Sequence, residues 1–307
     1  MSTRLRLIGF AVWVAVALQA QVNIEPRSPV SSAERAVRLD LRADTNLVLV
    51  PVAVLDRRNH PITGLEKENF RVFDEGVERP IGTFAMEDEP VAVGLVFDHS
   101  GSIGGGMGLE TRVTHWFFRT SNPEDRYFLV LFSSNPVLAI PLTPSPEQVQ
   151  NRIITLRSSG STALVDAVVL GLDELKKTRL TRKALLVVSD GGENNSRYSK
   201  TELKRILAET DALVYAIGIN TSQADFPFLR WMAELSGGRA LPAEPNELPD
   251  IAAKIGVELR NRYVLGFSCS DVQRDGKYHS LRVEIVPPRG LPAMKAAWRR
   301  GYYAPGN

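Results

Sequence analysis

Between Val91 and Arg262 short apolar runs alternate with stretches whose apolar residues recur at helical spacing, and this alternation constrains the fold more than any other feature. Runs near 91–97, 127–133, 137–142, 184–189, 212–219 and 239–242 have the length and aliphatic content of strands buried on both faces. Stretches near 109–120, 146–156, 163–177, 199–210, 225–236 and 247–261 read as helices. In the third of these, Leu164, Ala167, Val168, Leu172 and Leu175 form one apolar stripe. The alternation predicts an α/β fold with a doubly wound, mostly parallel sheet. Ser134-Asn135-Pro136 is too short for a crossover, so the second and third runs are expected to form one antiparallel edge hairpin.

Strand patterns also flank this region. Leu47 to Leu55 is β-branched and contains Pro51, which belongs near a sheet edge or bulge. Phe70-Arg71-Val72-Phe73 runs into the turn Asp74-Glu75-Gly76-Val77, so 45–88 reads as an N-terminal β module whose acidic residues are solvated turn surface. Tyr263 to Phe267, Leu281 to Val286 and Ala296 to Tyr303 read as strands of a C-terminal β segment, 263–307. The two flanks are expected to pack as halves of a small β-sandwich, with an α/β domain at 89–262 inserted between them.

Residues 1–20 read as a signal peptide: Arg4 and Arg6 are followed by the apolar run Leu7 to Leu18 and then Ala20. A spanning helix needs roughly 20 apolar residues, so no stable transmembrane anchor is expected. The export reading implies a periplasmic or secreted protein, with 21–44 a polar, proline-bearing flexible leader. Cys269, the one cysteine, cannot form an internal disulfide, and burial beside Phe267 is expected.

The first run ends in Asp98-His99-Ser100-Gly101-Ser102, which places a carboxylate and two hydroxyls at alternate positions where a strand leaves its sheet. Ser161-Thr162-Ala163 opens the third helical stretch, and Leu185 to Ser189 ends on Asp190. These strand ends should share one edge of the sheet. Their donors are all hard oxygens, which suit Mg²⁺ or Mn²⁺ and are poor for zinc or copper.

Asp98, Ser100, Ser102, Thr162 and Asp190 stand in the order and spacing of a motif that resembles the metal-ion-dependent adhesion site of von Willebrand factor type A domains. The flanks resemble an exported bacterial branch of that family, and the glycine run 104–108 departs from its pattern. The resemblance implies a von Willebrand factor A-like fold. It also implies that Ser100, Ser102 and Thr162 ligate Mg²⁺ (or Mn²⁺, Ca²⁺) directly, while Asp98 and Asp190 act through water. Two carboxylates neutralise a divalent ion, and uncharged hydroxyl ligands leave it able to take one more anionic oxygen. The implied partner is a protein offering an Asp or Glu carboxylate. Asn194, Asn195, Arg197 and Tyr198 are candidates for the rim; His99, pointing out of the loop, could contact a partner, but a histidine satisfied within the loop is the favoured reading.

Other classes fit less well. The 37 basic and 35 acidic residues nearly cancel, leaving no footprint for nucleic acid. No Gly-x-Ser-x-Gly elbow surrounds Ser100 or Ser102, and His60, His99, His115 and His279 form no triad or zinc pattern. A phosphatase of the Asp-x-Asp type would need a carboxylate where Ser100 stands. Neither an enzyme nor a small-molecule substrate is expected, with a hydrolase or a scaffold bearing a vestigial metal site as the alternatives.

Overall fold

The computed structural model describes residues 47–86, 89–101, 108–154, 160–221, 225–268, 275–288, 290 and 293–304. The expectations for residues 1–44, Ser102 and Cys269 fall outside them. In chain order the strands are β1 (Leu47–Leu55), β2 (Phe70–Asp74), β3 (Val77–Arg79), β4 (Thr83–Met86), β5 (Val91–Asp98), β6 (Arg126–Phe132), β7 (Pro136–Thr143), β8 (Arg182–Ser189), β9 (Leu213–Ile219), β10 (Ala240–Ala243), β11 (Arg262–Ser268), β12 (Tyr278–Ile285), β13 (Lys295–Ala297) and β14 (Gly301–Tyr303). The helices are α1 (Leu109–Phe118), α2 (Pro146–Ile153), α3 (Leu164–Lys177), α4 (Lys200–Glu209), α5 (Phe226–Ser236) and α6 (Leu248–Arg260).

Six strands form the central sheet in the order β10-β9-β8-β5-β6-β7. All neighbours are parallel except the β6–β7 edge hairpin. The alternation of side chains along β5 divides its residues between two cores. Val91, Val93, Leu95 and Phe97 join α1, α2 and α6, whereas Ala92 and Val96 join α3, α4 and α5. Gly94 breaks the aliphatic run because a β-carbon there would lie 2.2 Å from the ring of Phe128 and 2.6 Å from Leu185. Helix cover on both faces explains why β5 is buried throughout.

The chain passes from β5 through α1 to β6 on one side, and β8 adds to the other side of β5. The C-terminal ends of β5 and β8 therefore flank the point where the winding reverses, the place where such sheets hold ligands.

Two further sheets, β13-β1-β11-β4 and β14-β12-β2-β3, face each other over a third core. Val48, Val50, Val52, Val54, Leu265 and Phe267 come from the first, Phe70, Val72, Leu281 and Val283 from the second. This is a small sandwich assembled from strands on both sides of the central domain. β13 pairs only with Ala53–Leu55, so Pro51 sits where β1 has a ladder on one side alone.

Three details differ from the sequence reading, the first being Asp74, which ends β2 buried and paired with Arg79 at 3.4 Å instead of lying on a solvated turn. Residues 296–303 form two short strands in different sheets, because Trp298 turns inward and donates its indole N–H to Leu281 O at 3.1 Å. β4, the partly exposed edge strand beside β11, has no clear alternation and was not expected.

Arg262 marks the passage from α6 into β11. Its side chain is fully buried and donates to Tyr215 Oη (2.7 Å) and to the carbonyls of Gly237 (2.9 Å), Pro51 (3.1 Å) and Ala297 (3.2 Å). One guanidinium thus ties the sheet, the end of α5 and two sandwich strands. Tyr215 also donates to the buried Glu258 carboxylate at 3.1 Å, and Arg239 pairs with it at 2.8 Å.

Candidate metal centre

Asp98 is the last residue of β5, and the chain leaves the sheet as His99 N–H donates to Phe132 O at 2.9 Å. Asp98 Oδ1 accepts the N–H of Ser100 at 2.9 Å, closing a turn through its own side chain. Its Oδ2 accepts the hydroxyl of Ser189 at 2.7 Å. Ser189 ends β8 and also accepts the N–H of Gly191 at 3.0 Å, so one buried hydroxyl orients Asp98 and starts the loop carrying Asp190.

Thr162 precedes α3, whose N-cap is Ala163, a residue without a side-chain acceptor. The open N–H groups of the first turn are satisfied from another loop instead. Glu193 accepts from Val165 N–H at 2.8 Å and Ser196 Oγ from Asp166 N–H at 3.1 Å. Asn194 Oδ1 accepts from Thr162 N–H at 3.0 Å, and the Thr162 carbonyl accepts from the N–H groups of Asn194 (3.0 Å) and Asn195 (3.1 Å). The first loop joins the second where Gly101 N–H donates to Gly160 O at 3.2 Å. Each of the three loops is hydrogen-bonded to the other two.

The electrostatics are those of crowded carboxylates. Burial pushes the Asp98 carboxyl above its ordinary pKa and the charge of Asp190 adds to the effect, while hydrogen bonds from Ser100 and Ser189 oppose it. Glu110, at the start of α1, is raised chiefly by burial, with the Asp98 charge contributing. A β-carbon added at Gly192 would lie 3.1 Å from Asp190 Oδ1 and 3.8 Å from Thr162 Oγ1. The absence of a side chain at Gly192 therefore keeps open the space between these oxygens. Hard donors, two mutually repelling carboxylates and a cradle free of side-chain carbon fit a small divalent cation.

Residues 93–193 match the model of the von Willebrand factor type A domain. The central domain has the von Willebrand factor type A fold. Among solved structures, a von Willebrand factor type A protein from Catenulispora acidiphila is similar at 11% identity and a TM-score of 0.50, over 84% of this chain and 72% of that one. Proximal thread matrix protein 1 from the mussel byssus is similar at 17% identity and a TM-score of 0.50, over 61% of this chain and 50% of that one. None of the curated proteins compared matches the chain.

Within this A domain the structure brings together four of the five expected site residues. Asp98, Ser100 and Thr162 are buried and Asp190 is half-buried, while Ser102 lies outside the described residues. Asn194, Asn195, Arg197 and Tyr198 are exposed along the same edge, with Arg197 Nε held by Asp166 at 3.0 Å. His99 is half-buried with Nδ1 enclosed and without a hydrogen-bond partner among the described residues, and its backbone N–H is tied to the end of β6. Sequence reasoning missed Ser189 and Glu193, and it placed Asn194 at the rim without its bond to Thr162 N–H. For Ser189 a signal existed, a hydroxyl closing an otherwise aliphatic buried strand.

Proposed function

We propose that the A domain is a divalent-metal-dependent protein-binding module, used in adhesion or assembly, that captures an Asp or Glu carboxylate of a partner. The observation that supports this most is the closed hydrogen bonding of three loops around Asp98, Ser100, Thr162 and Asp190. Such a frame holds donors in place before any ligand arrives, which lowers the ordering cost of binding.

Ser100 and Thr162, with Ser102 in the adjoining segment, would ligate Mg²⁺, Mn²⁺ or Ca²⁺ directly, and Asp98 and Asp190 through water. When bound, the ion supplies a Lewis-acidic position for one further carboxylate oxygen. This chain's own residues do the rest. Asp98 and Asp190 balance the ion's charge, Asn194 fixes Thr162, and the exposed Asn195, Arg197 and Tyr198 form part of the rim a partner would cover. We read the module as binding rather than catalytic, and the basic, apolar residues 1–20 support export to the periplasm or medium.

The test is co-purification of exported proteins on the immobilised chain, with and without chelator and with Thr162→Ala. Chelator and the substitution should weaken capture in parallel, mainly by raising the off-rate. Capture indifferent to chelator would leave the domain a scaffold with a vestigial site.

A further inference from the structure

A cleft of about 340 Å³ opens between the A domain and the sandwich, at the end of the sheet opposite Asp98. Its position follows from the strand directions. Gly238 packs on the backbone of Val214 and Arg239 O accepts from Ala216 N–H, so this wall lies where β9 and β10 begin, whereas Asp98 and Asp190 lie where β5 and β8 end.

Four cationic side chains line the cleft, Arg230 and Arg239 from the A domain and Lys295 and Arg300 from the sandwich, against one carboxylate, Glu234. Arg239 is committed: it pairs with Glu258 at 2.8 Å and donates to Asn59 Oδ1 at 2.8 Å. Arg300 lines the cleft, stacks over Trp298 at 5.0 Å and pairs with Glu234 at 3.8 Å. Arg230 and Lys295 are both exposed; Arg230 stacks over Phe226 at 5.0 Å, and neither has a carboxylate within ion-pair distance among the described residues. Two arginine forks, a lysine point charge and an excess of positive charge within so small a volume recognise oxyanions.

We propose that this cleft binds a small molecule carrying at least two anionic groups, phosphate or carboxylate, bridging Arg230 on the A domain and Lys295 and Arg300 on the sandwich. The volume is at the low end for small-molecule sites and too small for a folded element. A ligand that spans both walls is bound only while they are together, so occupancy stabilises the junction by mass action.

The test uses the full chain carrying Asp190→Ala, so that the proposed metal centre cannot contribute, in metal-free buffer at constant ionic strength. Pyrophosphate, citrate and a pentaglutamate peptide are titrated calorimetrically, and melting temperature is followed in parallel. Pyrophosphate or citrate should bind and raise the melting temperature, with pyrophosphate preference indicating a phosphate ligand and citrate preference a carboxylate one. Arg230→Gln with Lys295→Gln, both at exposed positions, should weaken that binding about tenfold or more without altering the unliganded melting temperature. Binding equally strong in the double variant, no binding of either small anion at about 10 mM, or pentaglutamate binding about tenfold tighter than both would overturn the proposal.

Discussion

Ser189 Oγ donates to Asp98 Oδ2 at 2.7 Å, joining the last residue of β8 to the last residue of β5 across the point where the sheet reverses its winding. The bond fixes the rotamer of the first loop's carboxylate from the third loop's strand. It is also one of the hydrogen bonds that oppose the upward push of burial on the Asp98 carboxyl.

Ser189→Ala should therefore keep the fold and weaken divalent-ion binding. A hydrogen bond to a charged group contributes about 1.5–3 kcal/mol, so a loss of roughly tenfold or more in Mg²⁺ affinity is expected by calorimetry. Circular dichroism should be unchanged. An Mg²⁺ isotherm equal to that of the unmodified chain would mean that Asp98 is oriented by other contacts.

The contrast between Asp98 and Ser189 shows how far a sequence speaks for a site like this. Asp98, Ser100, Thr162 and Asp190 are legible because each interrupts or follows a strongly patterned run, and strands that must lie parallel bring their ends to one edge. Ser189, Glu193 and Asn194 act on groups far away in the chain, and nothing in local spacing states which N–H groups will need an acceptor. The missing cap at Ala163 is visible in the sequence, but its replacement by Glu193 and Ser196 is a property of the assembled loops. The same reasoning applies to residues 295–303, where a locally strand-like pattern is divided between two sheets by the inward turn of Trp298.

Arg262→Met should destabilise the chain by about 3 kcal/mol or more in urea unfolding, since it strips a buried partner from Tyr215 Oη and three carbonyls at once. Arg262→Lys should rescue little, because an ammonium cannot reproduce the planar fork that reaches four acceptors. Full stability in the lysine variant would show that charge alone suffices at the junction.

Acid should loosen the sandwich through Glu75. Its carboxylate accepts the N–H of Ser280, which holds its pKa below the ordinary value of 4.5. A lowered pKa makes the ionised form the native one, so this stabilisation is complete above 4.5 and is lost as pH falls through the lowered value. Between pH 4.5 and about 3 the melting temperature of Glu75→Gln should decline less steeply than that of the unmodified chain, as followed by differential scanning calorimetry. Parallel slopes would remove Glu75 from the acid response.

Gly191 and Gly192 separate fold from site within one dipeptide. Gly191 has φ +87°, and a β-carbon there would meet Asp225 at 3.1 Å, so Gly191→Ala should cost stability whether or not metal is present. Gly192 lies outside the left-handed region; its β-carbon would press on Asp190 Oδ1 at 3.1 Å and approach Thr162 Oγ1 at 3.8 Å. Asp190 can yield by a few tenths of an ångström at little cost to folding, but that shift moves an oxygen assigned to the ion's shell. Gly192→Ala should accordingly keep its metal-free melting temperature within about 2 °C of the unmodified chain while losing most of the Mg²⁺-dependent increase. Thermal melts with and without Mg²⁺ read both quantities in one experiment. If Gly192→Ala keeps the full Mg²⁺-dependent increase, the space between Thr162 and Asp190 is not where the ion sits.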